Sequence, residues 1–199
     1  MEAPGAALPP EEQRAAQLLS RALACEVIPH PERTLAKRPD LRAHLSPHEW
    51  ADIEVTRDLS ERAPTWSEPL QRWRIDADRA WSPSDADAIA QWCSRLLASD
   101  KYSDIAQKFV DSTARHHWAF LYATVHSTEE SDFWIVDALD SGVALPSVAP
   151  VLPPELTGVW IAAGQRVIWW TAAHGWVDAQ TADAGGNVGT ESFGPGAAS

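Results

Sequence analysis

His116 and His117 stand side by side at the start of a β-rich run, and Asp137 falls in a second such run a hairpin's length further on. Neighbouring side chains on a strand point to opposite faces, so the two histidines cannot chelate one metal together and only one can serve a site. If residues 116–126 and 132–139 pair with His126 opposite Asp132, then His117 and Asp137 share a face, the arrangement of a general base and the carboxylate that orients it. A buried aspartate satisfied by backbone or by Arg115 accounts for the same residues without catalysis. His117 and Asp137 are thus the one pair that could support catalysis, and the balance is against an enzyme.

The remaining reactive residue types give less. His44, His48 and Asp52 are spaced by four, which on a single helix could hold a metal. The run Ser46-Pro47-His48-Glu49 predicts a helix start between the two histidines, which removes the first ligand, so no metal is expected. Cys25 and Cys93 fall on apolar helical faces without an activating neighbour and read as buried free thiols in a reducing compartment. No Gly-x-Ser-x-Gly elbow and no Walker-type loop occurs, and no cofactor is expected. A binding constellation is better supported: Trp66, Arg72, Trp73, Arg74, Arg79 and Trp81 interleave cations with aromatic rings. They suit cation–π contacts within the fold or, together with Arg33, Lys37, Arg38 and Arg42 between His30 and His44, an edge for an anionic or aromatic ligand.

These residues need elements to position them. Ala15, Leu18, Leu19, Ala22 and Leu23 recur at helical spacing from Pro10 towards Pro29. The capping signature at Ser46 predicts a second helix over 47–59, and Ser82-Pro83-Ser84-Asp85 predicts a third, carrying Ile89, Trp92, Cys93, Leu96 and Leu97 on one stripe. That stripe changes phase at Ser99-Asp100 and resumes as Tyr102, Ile105 and Phe109 in a fourth helix. After Arg115 the pattern turns to strands. In the hairpin register above, Trp118, Phe120, Tyr122, Trp134 and Val136 share one face, and Ala119, Leu121, Ala123, Ile135 and Leu139 the other. A proline-rich excursion over 142–157 precedes a meander over 159–180 with turns at Gly164-Gln165 and His174-Gly175, which places Trp160, Trp169 and Trp176 on one face. The fold class is α+β: N-terminal helices packed on one face of a C-terminal antiparallel sheet of about five strands. One domain is expected over 10–182, helical to 114 and sheet from 115, between disordered ends at 1–9 and 183–199.

Composition then limits the function. Of 199 residues 11 are Trp, against two Tyr and four Phe, and six of the Trp lie between Trp118 and Trp176. Trp combines the largest apolar surface with one N–H, so the excess marks a heavily packed core or a surface built to bind. The net charge is −12, and residues 115–199 hold two basic and nine acidic side chains. Counterion release requires clustered Lys and Arg, so this balance opposes nucleic acid and anionic membranes as partners and favours a basic protein. With no signal-like N-terminus and no long apolar window, a cytoplasmic protein is expected. The function expected is a non-catalytic interaction module, such as an inhibitor, an immunity-type factor or an assembly subunit, that uses the acidic surface and the Trp-rich face. The alternative is a small-molecule site or enzyme whose pocket is floored by Trp73, Trp118, Tyr122, Trp134 and Arg74, and the third reading is nucleic-acid association through the two arginine clusters.

Overall fold

Ser82, itself extended in backbone, caps the longest helix among the described residues from both sides: its hydroxyl accepts from Asp85 N–H, and the Asp85 carboxylate accepts from Ser82 N–H at 2.8 Å. The computed structural model describes residues 8–32, 37–56, 82–99, 102–123, 135, 138–139, 141–163 and 166–179. Within them, helix α1 spans Pro10–Leu23, strands β1, β2 and β3 span Val27–Pro29, Leu41–Ser46 and Glu49–Thr56, and helices α2 and α3 span Pro83–Ala98 and Ser103–Lys108. Strands β4, β5, β6 and β7 follow at His116–Tyr122, Gly158–Ala163, Arg166–Thr171 and Gly175–Asp178.

The seven strands form one sheet in their chain order. Strands β1 to β3 and β5 to β7 are antiparallel meanders, and β4 joins them by pairing parallel to both β3 and β5. Parallel neighbours need long crossovers. Helices α2 and α3 lie in the first, and the second includes Ile135, Ala138 and Leu139 in helical conformation and the proline-rich stretch. Both faces of the sheet are buried. On one, Ile89, Trp92, Cys93 and Leu97 of α2 and Phe109 pack with Ala119, Leu121, Val159 and Ile161. On the other, Ala15, Ala16 and Leu19 of α1 cover Ile53, Trp118, Phe120, Trp160 and Trp169. Because β4 and β5 are covered on both sides, they read as continuous apolar runs.

The α+β class holds, with corrections. The sheet is mixed and seven-stranded rather than antiparallel with about five strands, its helices lie on both faces, and strands occur within the segment expected to be helical to residue 114. The helix predicted over 47–59 is instead β3, and Pro47 and His48 form the turn from β2. Ser-Pro-x-Glu suits a tight turn, where Pro pre-sets the backbone, as well as a helix start. The strand predicted over 132–139 is helical at its described positions, although Ile135 and Leu139 do join Ala119, Leu121 and Ala123 in one cluster.

In the meander Trp160 pairs with Trp169 as expected, and their rings stack at 5.2 Å. Trp176 pairs with Trp170 instead and packs on the opposite face. The β6–β7 loop takes three residues, 172–174, before Gly175 at φ +66°, and that extra residue reverses every side chain of β7.

Gly158 leaves room for the central tryptophan. A Cβ there would sit 2.9 Å from Trp118 Cδ1 and 2.9 Å from the Trp170 carbonyl oxygen. Since one contact is backbone, Gly158→Ala should cost about 1–3 kcal/mol of stability in urea unfolding, and an unchanged midpoint would show that the strands separate freely at this point.

Candidate functional site

A strand with both faces buried can keep a carboxylate only if partners satisfy it. On β3, Ala51, Ile53 and Val55 face α1, which leaves Asp52 and Glu54 to project together towards α3. Asp52 is 0 % exposed. Arg42, its cross-strand neighbour on β2, donates from Nε to Oδ1 at 2.7 Å and from Nη2 to Oδ2 at 3.1 Å, and Ser112 Oγ donates to Oδ2 at 2.7 Å. Burial raises the Asp52 proton affinity, but the hydrogen bonds from Arg42 and Ser112 and the Arg42 charge outweigh it and hold the carboxyl below its ordinary range.

His30, just beyond β1 and 5 % exposed, closes the cluster. Its Nε2 lies 2.9 Å from Arg42 Nη2 and 3.4 Å from Asp52 Oδ2, while Glu32 N–H points at Nδ1 from 3.2 Å. Both ring nitrogens face N–H donors. A neutral imidazole has a lone pair for only one of them and a protonated ring has none, so the site opposes protonation. Burial, first, and the Arg42 charge lower the His30 affinity for a proton, against the attraction of Asp52.

The cluster borders a depression of about 230 Å³ whose walls include Arg38, Arg42, Glu32, Asp111 and Thr113. Among the described residues Arg38 is held only by exposed carboxylates, Glu32 at 3.0 Å and Asp111 at 3.5 Å. Arg42 also lies over the Trp50 ring, 5.4 Å from its centroid, and its Nη1 has no partner among the described residues.

The reactive side chains near the cluster are engaged or held protonated. The single Ser112 proton is committed to Asp52, and its oxygen accepts from Ala114 N–H at 3.0 Å. Burial pushes the Cys93 thiol up, and burial with the Glu26 charge pushes Cys25 to about 11, so neither is a ready thiolate. Among the described residues no group of three or more His, Cys, Asp or Glu is placed to hold a metal ion. His44 and His48 are exposed, and Asp52 is turned to Arg42.

The residues singled out from the sequence are dispersed. Trp118 and Trp160 are each 1 % exposed, Trp169 is buried beside them, and the Tyr122 hydroxyl donates to the Glu11 carbonyl. These four form core under α1. Trp176 is half-buried on the other face, its Nε1 donating to the Val148 carbonyl at 2.7 Å. His117 stacks on Phe109, and its Nδ1–H donates to the Glu155 carbonyl at 3.0 Å. Asp137, Trp66, Arg72, Trp73, Arg74, Arg79, Trp81 and Trp134 lie outside the described residues, as does Arg33. Arg38, Arg42 and His30 do come together, whereas Ser112 and Glu54 were missed as site residues and Asp52 was weighed only as a metal ligand. The alternation of Asp52 and Glu54 with Ile53 and Val55 carries the signal: a strand apolar on one face with charges on the other.

No family model matches the chain, and comparison with the curated proteins and with the solved structures found no match.

Removing Arg42 would leave Asp52 charged and out of water. Arg42→Met should therefore cost about 3–5 kcal/mol in urea unfolding at neutral pH. Because the Asp52 and His30 affinities for protons are both lowered on folding, their contributions are present above the ordinary values of 3.8 and 6.5 and fade as pH falls. The deficit of Arg42→Met against the wild type should accordingly narrow on acidification below pH 3.8, and a deficit independent of pH would show that the ion pair is not its source.

Proposed function

We propose that this chain is a non-catalytic binding module whose recognition site is the His30–Arg38–Arg42 depression, and that it takes a small anionic group, a carboxylate or a phosphate. One observation carries the proposal: Arg42 is gripped by a wholly buried Asp52, has no partner for Nη1 among the described residues, and lines a cavity that Arg38 also lines. A guanidinium fixed in this way loses little freedom on binding, and its planar fork suits both anions. The carboxylates at the rim weaken the site only modestly. Glu32 and Asp111 are 54 % and 74 % exposed, and exposed ion pairs contribute about 0–1 kcal/mol, so an entering anion can exchange with them at Arg38.

Calorimetric titration with inorganic phosphate, malonate and a nucleoside monophosphate tests this. At least one should bind saturably, and Arg38→Gln, which touches only exposed partners, should weaken it about tenfold while leaving unfolding unchanged. The absence of saturable heat for all three at low salt would overturn the assignment.

A second reading, interaction with a basic protein, is supported by the net charge of −12 alone. The Trp-face version of it loses its support, because Trp118 and Trp160 are core. A stoichiometric partner captured from the native host at low salt and released at about 0.5 M would favour this second reading.

A further inference from the structure

Glu54 stands two residues along β3 from Asp52 and on the same face, 6 % exposed. Its Oε1 is ion-paired with Lys108 Nζ of α3, while Oε2 is buried and has no hydrogen-bond partner among the described residues. Beside it is Asp40, the residue before β2, whose Oδ2 accepts from Val55 N–H at 3.0 Å. The buried Glu54 carboxyl thus has one ammonium partner, the partly exposed Lys108, and a second carboxyl group, the half-buried Asp40, close enough to act on it. Of the other polar groups on this face, Asp52 is bound by Arg42 and Ser112, the Thr56 hydroxyl donates to the Phe120 carbonyl, and His117 of β4 donates from Nδ1 to the Glu155 carbonyl while its buried Nε2 has no partner among the described residues. With both carboxyls ionised the trio carries a surplus negative charge and a bare buried oxygen; with one proton it is neutral, and Oε2 can carry that proton.

We propose that Asp40, Glu54 and Lys108 form a proton-operated latch: one proton on the carboxyl pair balances the charges and keeps α3 seated on β3, and its loss loosens α3. The direction of the Glu54 titration agrees. Burial and the Asp40 charge push its carboxyl from the ordinary 4.5 up to about 8, although Lys108 pulls the other way. A carboxyl raised on folding stabilises fully below pH 4.5 and loses that contribution as pH climbs to about 8. None of the three residues lines the depression, so the latch does not rest on anion binding.

Carboxyl-carbon NMR and amide hydrogen exchange on the whole chain test the latch. In the wild type one carboxyl should titrate near pH 8, vanish in Glu54→Gln and move to lower pH in Asp40→Asn. Opening of residues 103–113, corrected for intrinsic exchange, should steepen towards about tenfold per pH unit between 4.5 and 8, the slope for release of one proton, and stay flat in Glu54→Gln. Glu54 titrating in the ordinary carboxylate range overturns the proposal, as does a high titration with α3 protection unmoved. The wild-type titration decides even where a variant does not fold.

Discussion

A carboxylate wholly out of water on a strand buried on both sides constrains everything around it. Asp52 must be met by a cation, and Arg42 is available because β2 runs antiparallel to β3 with the two residues in register. It must also be met by a second donor, and Ser112 arrives because the turn after α3 passes over the same face. His30 then has to stay neutral, since a charged ring would set N–H groups against Arg42 and against the Glu32 backbone. Strand register, the course of the chain after α3 and the protonation state of a histidine thus all follow from one buried charge. The depression beside it inherits this rigidity.

The same physics explains the rest of that face. The α1 side of the sheet is apolar and aromatic, with Trp118, Trp160 and Trp169 in contact from strand to strand. The α3 side over β2 and β3 is polar, and there the sheet is held by matched charges rather than by area. One half of the sheet is thus held by apolar area, while in the other burial and neighbouring charges displace the proton affinities of His30, Asp52 and Glu54.

Much of this was legible and some was not, for identifiable reasons. The α2 cap was plain because Ser82, Pro83 and Asp85 all favour the same helix start and an apolar stripe follows. The Trp160–Trp169 pairing was plain because alternation and turn chemistry agree. The element over 47–59 was not, since Pro47 serves a two-residue turn as readily as a first helical turn, and choosing the helix concealed the alternation of Asp52 and Glu54. That one choice hid the site. Trp176 was misplaced by a single loop residue, to which a side-chain period of two is maximally sensitive. Arg38 and Arg42 were picked out as cations, but no local pattern could reveal that Ser112, some seventy positions from Arg42, would share Asp52 with it.

The wiring of the sheet carries a kinetic consequence. Each outer meander pairs strands that are neighbours in the chain, so the loops to be closed are short and their entropic cost is small. The two joints at β4 are parallel, and each spans a long crossover that must be gathered before any hydrogen bond between the strands can form. Sequence separation slows folding in proportion to how much of the structure depends on such distant pairings. The rate-limiting event therefore falls in the middle of the sheet, when two preformed ribbons close around β4 and its tryptophan. Until then the most apolar strands of the chain, β4 and β5, have unpaired edges, which makes this interval the one in which a crowded solution can divert the chain into aggregates.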